Sequence, residues 1–471
     1  MEHTWIPVAC TIAVLLCSPM LTSLGTVQPA DPADAPVAMD DGAGNTYNLL
    51  VISPAQWTDE LQRLAEHKER YGLATQVVTL DEIYTGDHFP VEGRDDAERI
   101  KYFIKNALEN WSITYVMLVG GRRPSLQGEP WWLPARYSHI EDNVATEEDR
   151  YLSDLYYADI YTGEGDFSSW DTDRDGIYGE WRKNRAAEDI RDLHPDVCLG
   201  RLACRNAREV ATMVDKVIAY ETGVHAAGWL DTMVTVAGDT YTFNDYNEGE
   251  VAARQAVERM PNMTAIHLWT SDGSLQGWRD VATALQNGCG FIFFAGHGSP
   301  TTWGTHPPND PDTWIYGLQT FQMPLLNNGD RLPICVVAGC HNSLFNVSLT
   351  NPSWTFGIPV YECWSWRLTS HPRGGAIATL GSTGLGYGKE DKFHPEDGGA
   401  GDWLDLLFFD ACGRQDIDML GRAWRHAIDT YLDQYPINWN ATAFHDPALD
   451  AKTVEEWVLL GDPSLKIGGY P

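Results

Sequence analysis

From residue 47 onward, short unbroken apolar runs alternate with longer stretches in which apolar residues return every third or fourth position. NLLVIS reads as a buried strand, AQWTDELQRLAEHKERYG as an amphipathic helix closed by Gly72, and ATQVVTL as a second strand. DDAERIKYFIKNALENW then has helical spacing, and YVMLVGG is again an apolar strand. Strand, helix, strand, helix, strand with short joints predicts a parallel sheet with crossover helices. A polar, aromatic-rich region from about Arg122 to Pro195 interrupts this order, which resumes with VCLGRLA and the helix NAREVATMVDKVIAYET. A second series opens at DTMVTVAGD and runs through EGEVAARQAVERM, TAIHLWT, RDVATALQNG, CGFIFFAGHG, LPICVVAGC and GGAIATLGSTG. Strands without polar alternation belong to sheets covered on both faces. The predicted fold is therefore α/β, with an N-terminal half over 47–225 that carries the irregular insertion and a C-terminal half over 226–471. Each half is expected to hold a mainly parallel sheet flanked by helices.

Ahead of this body, GTVQPADPADAPVAMDDGAGN lacks periodicity and predicts a flexible linker over residues 26–46. Residues 1–25 contain an uncharged apolar stretch from Ile6 to about Leu24, with Glu2 and His3 where an export signal ordinarily carries Lys or Arg. A signal peptide and a retained N-terminal anchor both remain open, and either places the body outside the cytoplasm, secreted or at the cell surface. Such an anchor is the only membrane contact expected. The balance of 33 Lys+Arg against 66 Asp+Glu gives a formal charge of -33, which repels nucleic acid and anionic lipid and argues against both as partners. Of the nine cysteines, Cys10 and Cys17 fall in the leader, so an odd number remains and at least one thiol has no disulfide partner.

Chemistry enters where two apolar strands end. FIFFAGHGSP delivers His297 and LPICVVAGCHNSLF delivers Cys340. In open parallel sheets the functional groups gather beyond the C-terminal strand ends, so neighbouring strands would bring these two side chains to one crevice. A thiol beside an imidazole is the chemistry of a cysteine nucleophile, with the N–H groups of Gly298 and Cys340 as an oxyanion hole. The same residues also admit blander readings: a His that caps a strand, a Cys that fills the core or pairs with Cys335, or a zinc site of His297, His306, Cys340 and His341, whose spacing fits no compact zinc motif.

The blocks NLLVISPAQWTDELQRLAEHKERYG, SDLYYADIYTGEGDFSSWDTDRDGIYGEW, GHGSPTTWGTH, VVAGCHNSLFNVS, GGAIATLGSTGLGYG and EEWVLLGDPSLKIGG resemble the gingipain-like cysteine peptidases, family C25 of the caspase-like clan. This resemblance implies a caspase/hemoglobinase-like α/β fold, His297 and Cys340 as a catalytic dyad, and a protein or peptide substrate. Asp239, at the end of VAGD, is a candidate to orient the imidazole, or merely to cap the helix that follows. Because gingipains cut after Arg or Lys, Glu248 and Glu250 are candidates for a carboxylate in the substrate pocket, with Trp303 and Trp314 as its walls.

A separate segment, DTDRDGIYGE, sets Asp171, Asp173 and Asp175 at alternate positions before Gly176, followed by the Ile177 carbonyl and Glu180. That spacing predicts a structural calcium ion pinning the insertion, with Asp154, Asp159, Asp166 or Glu180 completing its shell. The expected function is an exported cysteine endopeptidase working through a thioester. Its alternatives are a transpeptidase on the same scaffold and a non-catalytic calcium-binding surface protein.

Overall fold

A computed structural model describes residues 46–471, apart from 124–129, 143–147, 244–245, 349–353, 356–357 and 389–398. The expected leader, and all but the last residue of the expected linker, lie outside the described residues. The first half opens with strand β1 (Leu49–Ser53), helix α1 (Thr58–Arg70), β2 (Thr75–Thr79), a short α2 (Leu80–Thr85), α3 (Asp96–Trp111) and β3 (Tyr115–Val119). Gly72 closes α1 at φ +82°, a backbone state that costs other residues strain. The unforeseen α2 starts from a reciprocal cap: Thr79 accepts the Glu82 N–H at 3.2 Å, and Glu82 accepts the Thr79 N–H at 2.7 Å.

Among its described residues the irregular region contributes a two-stranded pair, β4 (Arg136–Ser138) and β5 (Tyr151–Ser153), and a single 3-10 turn at Leu155–Tyr157, before β6 (Cys198–Leu202) and α4 (Ala207–Gly223) resume the order. Buried ion pairs hold it to the body, Arg191 to Glu455 at 2.5 Å and Arg201 to Asp154 at 2.6 Å. The second half runs β7 (Thr232–Ala237), α5 (Glu248–Arg259), β8 (Thr264–Trp269), α6 (Trp278–Asn287) and β9 (Phe291–Ala295). It continues with the short strands β10 (His297–Ser299), β11 (Thr302–Thr305) and β12 (Ile315–Gln319), then β13 (Ile334–Ala338), α7 (Trp364–Thr369) and β14 (Ala378–Ser382). Three helices, α8 (Ala400–Gly413), α9 (Leu420–Gln434) and α10 (Asp446–Glu456), precede the last strand, β15 (Trp457–Leu460).

The two sheets expected in the two halves meet edge to edge. One ten-stranded sheet runs β2-β1-β3-β6-β15-β14-β13-β9-β7-β8, and only the β14–β15 pairing is antiparallel. β15 is the joint: it lies antiparallel along β14 and touches β6 through the single pair Leu460↔Arg201. Residues 44–471 accordingly form one compact unit.

Successive side chains of β9 and β13 point to opposite faces. Phe291, Phe293, Ile334 and Val336 enter the larger core, whereas Ile292, Phe294, Cys335 and Val337 enter a second core beneath α6 and α7. That is why both strands read as unbroken apolar runs, each fully buried aliphatic or phenyl group contributing about 1.5–3 kcal/mol.

Candidate active site

β9 and β13 are parallel neighbours in register from Phe291↔Ile334 to Ala295↔Ala338. The residues that follow leave the sheet side by side at the same end, with the Gly296 N–H donating to the Ala338 carbonyl at 3.1 Å. His297 and Cys340 line one cleft of about 540 Å³, with Thr240, Glu248, Tyr387 and Asp402 among its other walls. The glycine after His297 has a steric cause. A Cβ on Gly298 would stand 2.6 Å from the Cys340 carbonyl oxygen and 2.3 Å from Asn342 Oδ1. Asn342 clamps the two loops, its Nδ2 donating to the carbonyls of Ser299 at 2.8 Å and Thr302 at 3.1 Å.

His297 Nε2 lies 2.9 Å from the Thr240 carbonyl oxygen. A carbonyl only accepts, so Nε2 carries the proton in the neutral ring and Nδ1 keeps the lone pair of a base. Burial pushes the His297 pKa below its ordinary value against the opposing pull of the Thr240 carbonyl, with His306 adding to the depression and Asp239 opposing it. The Cys340 thiol donates to the Gly386 carbonyl at 3.6 Å. Burial, reinforced by the charge of Glu456, pushes it up to about 11. Both shifts favour the uncharged forms, a Cys340 thiol and a neutral His297 ring in the same cleft. The Cys340 backbone N–H finds no acceptor among the described residues, as an oxyanion donor requires.

Asp239, expected to hold the imidazole, does not do so. The neighbouring Thr240 carbonyl takes the ring N–H, while the buried Asp239 carboxylate accepts the Asn309 N–H at 2.7 Å through Oδ2. Its Oδ1 has no hydrogen-bond partner among the described residues. Of the two candidate pocket carboxylates, Glu248 lines the cleft and accepts the Tyr241 N–H at 3.1 Å. Glu250 is turned away and buried, binding Ser271 through its N–H at 3.0 Å and its hydroxyl at 2.7 Å. Trp303 is not a pocket wall: it is fully buried in the second core, its ring 5.2 Å from that of Phe294. Trp314 is 41% exposed and stands 5.4 Å from the His297 ring, where it can flank a substrate.

The seven described cysteines are free thiols, so Cys340 is not paired with Cys335. Two residues of the alternative zinc set are committed elsewhere, His306 Nδ1 to the Thr313 carbonyl at 2.8 Å and His341 Nε2 to Glu148 at 2.8 Å. That second contact opens a network the sequence reading missed. Glu148 also meets Lys452 at 2.8 Å, Lys452 meets Asp142 at 2.9 Å, and Tyr387 of the cleft wall donates to Asp142 at 2.7 Å. Asp402 was missed as well. It sits on α8 in DWLDLLFFDA, where a carboxylate interrupting an apolar helix was the available signal. Burial and then the charge of Glu248 raise its pKa to about 6.

In the insertion, ligand oxygens of Asp171, Asp173 and Asp175 lie within 4.8 Å of one another, and Asp173, Glu180 and Glu188 form a second such group. Asp171 also meets Arg94 at 2.6 Å and accepts the N–H groups of Asp175 at 3.1 Å and Gly176 at 3.2 Å. The Ile177 N–H donates to Asp175 at 2.7 Å. Glu180 is paired with Arg182, yet its buried Oε2 has no partner among the described residues. Two carboxylates expected to help complete the shell are engaged elsewhere, Asp154 with Arg201 at 2.6 Å and Asp159 with the Trp170 indole N–H at 2.6 Å.

The description Peptidase family C25 matches residues 43–468. Gingipain R2 of Porphyromonas gingivalis is 21% identical over 343 residues, covering 71% of this chain and 36% of its own length. The chain thus spans about a third of the length of that curated relative. An uncharacterized protein of Archaeoglobus fulgidus is 20% identical over 434 residues, covering 87% of this chain and 92% of its own. The crystal structure of the Arg specific cysteine proteinase gingipain R superposes with a TM-score of 0.60 at 18% identity, covering 90% of this chain and 78% of that one. The fold is the caspase-like fold of that structure.

Proposed function

The chain belongs to peptidase family C25, and we propose that it is an exported cysteine endopeptidase with Cys340 as nucleophile and His297 as its proton-handling partner. The observation that carries this reading is the β9–β13 register, which delivers both side chains to one cleft while the Thr240 carbonyl occupies His297 Nε2. His297 Nδ1 takes the thiol proton as sulfur attacks the substrate carbonyl carbon. The oxygen, now negative, is received by the N–H groups of Cys340 and Gly298. The C–N bond breaks as the imidazolium returns the proton to the departing amine, and water then resolves the thioester. Apolar residues 6–24 support export; among the described residues no helix is long and apolar enough to cross a membrane.

The same reading assigns substrates with Arg or Lys on the acyl side of the cut. Glu248 and Asp402 supply two carboxylates to the cleft that holds Cys340, and a cationic side chain relieves their mutual repulsion. The Asp402 pKa is raised, so the free enzyme keeps this proton below about pH 6 and loses it above. The ratio of kcat/KM for an arginyl peptide to that for its uncharged citrulline counterpart is therefore expected to rise as pH increases through about 6. Titration of His297 cancels in that ratio. Asp402→Asn should lower the ratio by about tenfold at neutral pH and flatten its rise. A cleavage profile over a peptide library with no preference for Arg or Lys would refute the basic-substrate assignment.

For the insertion we propose a structural calcium ion held by Asp171, Asp173, Asp175, the Ile177 carbonyl and Glu180. The oxygen-only donor set and the unpartnered buried Glu180 oxygen support a hard cation. Saturating calcium should then raise the melting temperature, an ion at a hundredfold excess over its dissociation constant adding about 2.7 kcal/mol. A chelator should reverse the gain, and Glu180→Gln should shrink it. An unchanged melting curve in calcium rules the ion out.

A further inference from the structure

A second concavity, of about 870 Å³, shares no lining residue with the catalytic cleft. Arg205, Arg208, Arg367 and Arg373 line it, against only two carboxylates, Glu209 and Glu362. Those carboxylates are already used: Arg205 binds both, and Arg367 binds Glu362 at 2.6 Å. Arg208 and Arg373 are exposed and meet no carboxylate among the described residues; Arg373 donates only to the Pro324 carbonyl, at 2.8 Å. In a chain of formal charge -33, two unmatched guanidinium groups in a groove form a local reversal of sign.

Apolar side chains stand close in the chain to lining residues: Phe321, 71% exposed, and Leu325, 63% exposed, flank the lining residue Pro324, and the exposed Tyr361 precedes Glu362 with Arg205 5.2 Å from its ring. Guanidinium groups in a trough, with exposed phenyl and isobutyl groups on the segment that supplies Pro324, match a chain that presents carboxylates and apolar side chains together. A nucleic acid or an anionic membrane would meet the repulsion of the whole molecule, and a membrane surface does not enter a concavity. A single inorganic anion would leave those exposed apolar side chains uncovered.

The groove lies against the catalytic loop through α7. The Ser365 N–H donates to the Asn342 carbonyl at 3.0 Å and the Ser365 hydroxyl meets that of Ser343 at 2.8 Å, whereas Arg367 of the same helix lines the groove. We propose that this groove docks an acidic segment, interspersed with apolar residues, of the protein substrate whose scissile bond enters the cleft. The word substrate rests on the peptidase reading above; the binding chemistry does not.

The test separates the two. A short labelled peptide of Glu interspersed with Phe and Leu is titrated into full-length Cys340→Ala protein and followed by fluorescence anisotropy. Binding is expected, weakening at high salt, and the same peptide with Lys in place of Glu should not bind. The double variant Arg208→Glu/Arg373→Glu should lose at least about tenfold in affinity, and Phe321→Ser/Leu325→Ser should also weaken it. In the active protein, fusing that segment to a cleavable peptide should lower KM with kcat unchanged, and the double arginine variant should abolish the gain while cleaving the unfused peptide normally. Absent binding, equal binding of the Lys peptide, or indifference to the arginine variants overturns the site. Concentration-dependent dimers or retention on anionic vesicles that the arginine variants abolish would give the groove to a second copy or to lipid, and would also overturn it. Binding without any gain in cleavage of the fused peptide overturns its role in substrate capture, whereas binding by a protein that cleaves nothing counts against the peptidase reading alone.

Discussion

Cys340→Ala is expected to lower kcat for peptide hydrolysis by about three orders of magnitude or more, because the replacement removes the atom that forms the thioester and no other side chain can supply it. The fold should survive. Cys340 stands on the loop beyond β13, and among the described residues its side chain makes one weak hydrogen bond, to the Gly386 carbonyl. A melting temperature within a few degrees of the wild type is therefore expected beside the lost activity. The resting state of the thiol sharpens the test. With its pKa raised to about 11 by burial and by Glu456, Cys340 is protonated at neutral pH, and His297, pushed below its ordinary value, is neutral. Inactivation by iodoacetamide should accordingly be slow near neutral pH and climb about tenfold per unit toward pH 11, rather than reach a plateau at the pH where a preformed thiolate–imidazolium pair assembles. An alanine variant that still turns over peptide at the wild-type rate would end the assignment of the nucleophile. A rate of alkylation flat across neutral pH would end the description of its resting state.

What made His297 and Cys340 legible in the sequence was burial on both faces of the strands before them. FIFFA and ICVVA have no polar alternation because β9 and β13 are covered on either side, so the first reactive side chain after each run had to lie at the sheet edge. The joint between the two halves was not legible. β15 is four residues long, follows a helix directly, and reads in WVLL like any short apolar stretch, while its antiparallel partner and its one bridge to β6 depend on distant chain. The holder of the imidazole was hidden for a different reason. It is the main-chain carbonyl of Thr240, and backbone acceptors carry no residue signature, so the adjacent carboxylate of Asp239 drew the assignment.

Glu248 and Glu250 illustrate a signal that was present but unused. Two residues apart at the start of a helix they point about 200° from each other, so only one can face the cleft. Trp303 failed as a pocket wall because β10, β11 and β12 fold into an antiparallel sheet that turns its ring inward onto Phe294. Asn342, Glu148, Asp142 and Lys452 act through contacts between segments up to 310 residues apart, which no local spacing announces.

Lys452→Met is expected to cost about 3–5 kcal/mol of stability, the range for removing one partner of a buried ion pair and leaving its counter-charge behind. Burial alone would push the Lys452 pKa down, but Glu456, Glu148 and Asp142 around it hold it above its ordinary value. Without that ammonium, two hydrogen-bonded carboxylates lose their cation, at 2.8 Å from Glu148 and 2.9 Å from Asp142. Glu148 gives the pH dependence. Burial would raise its pKa, yet the His341 hydrogen bond and the Lys452 charge bring it down to about 2. Its contribution to stability is thus complete above the ordinary carboxylate value and is lost as pH falls toward about 2. In Lys452→Met that depression shrinks, so acid unfolding should begin at a higher pH than in the wild type. Lys452→Arg keeps a charge at the site and should recover part of the loss. The consequence reaches the cleft through geometry, since Glu148 holds His341, the residue after Cys340, and Asp142 holds Tyr387 of the cleft wall. Below its melting transition the Met variant should therefore show a reduced kcat as well. Equilibrium denaturation that finds less than about 1 kcal/mol between Lys452→Met and the wild type would mean that the carboxylates are protonated or solvated once the lysine is gone, and that the loop after Cys340 is held without them.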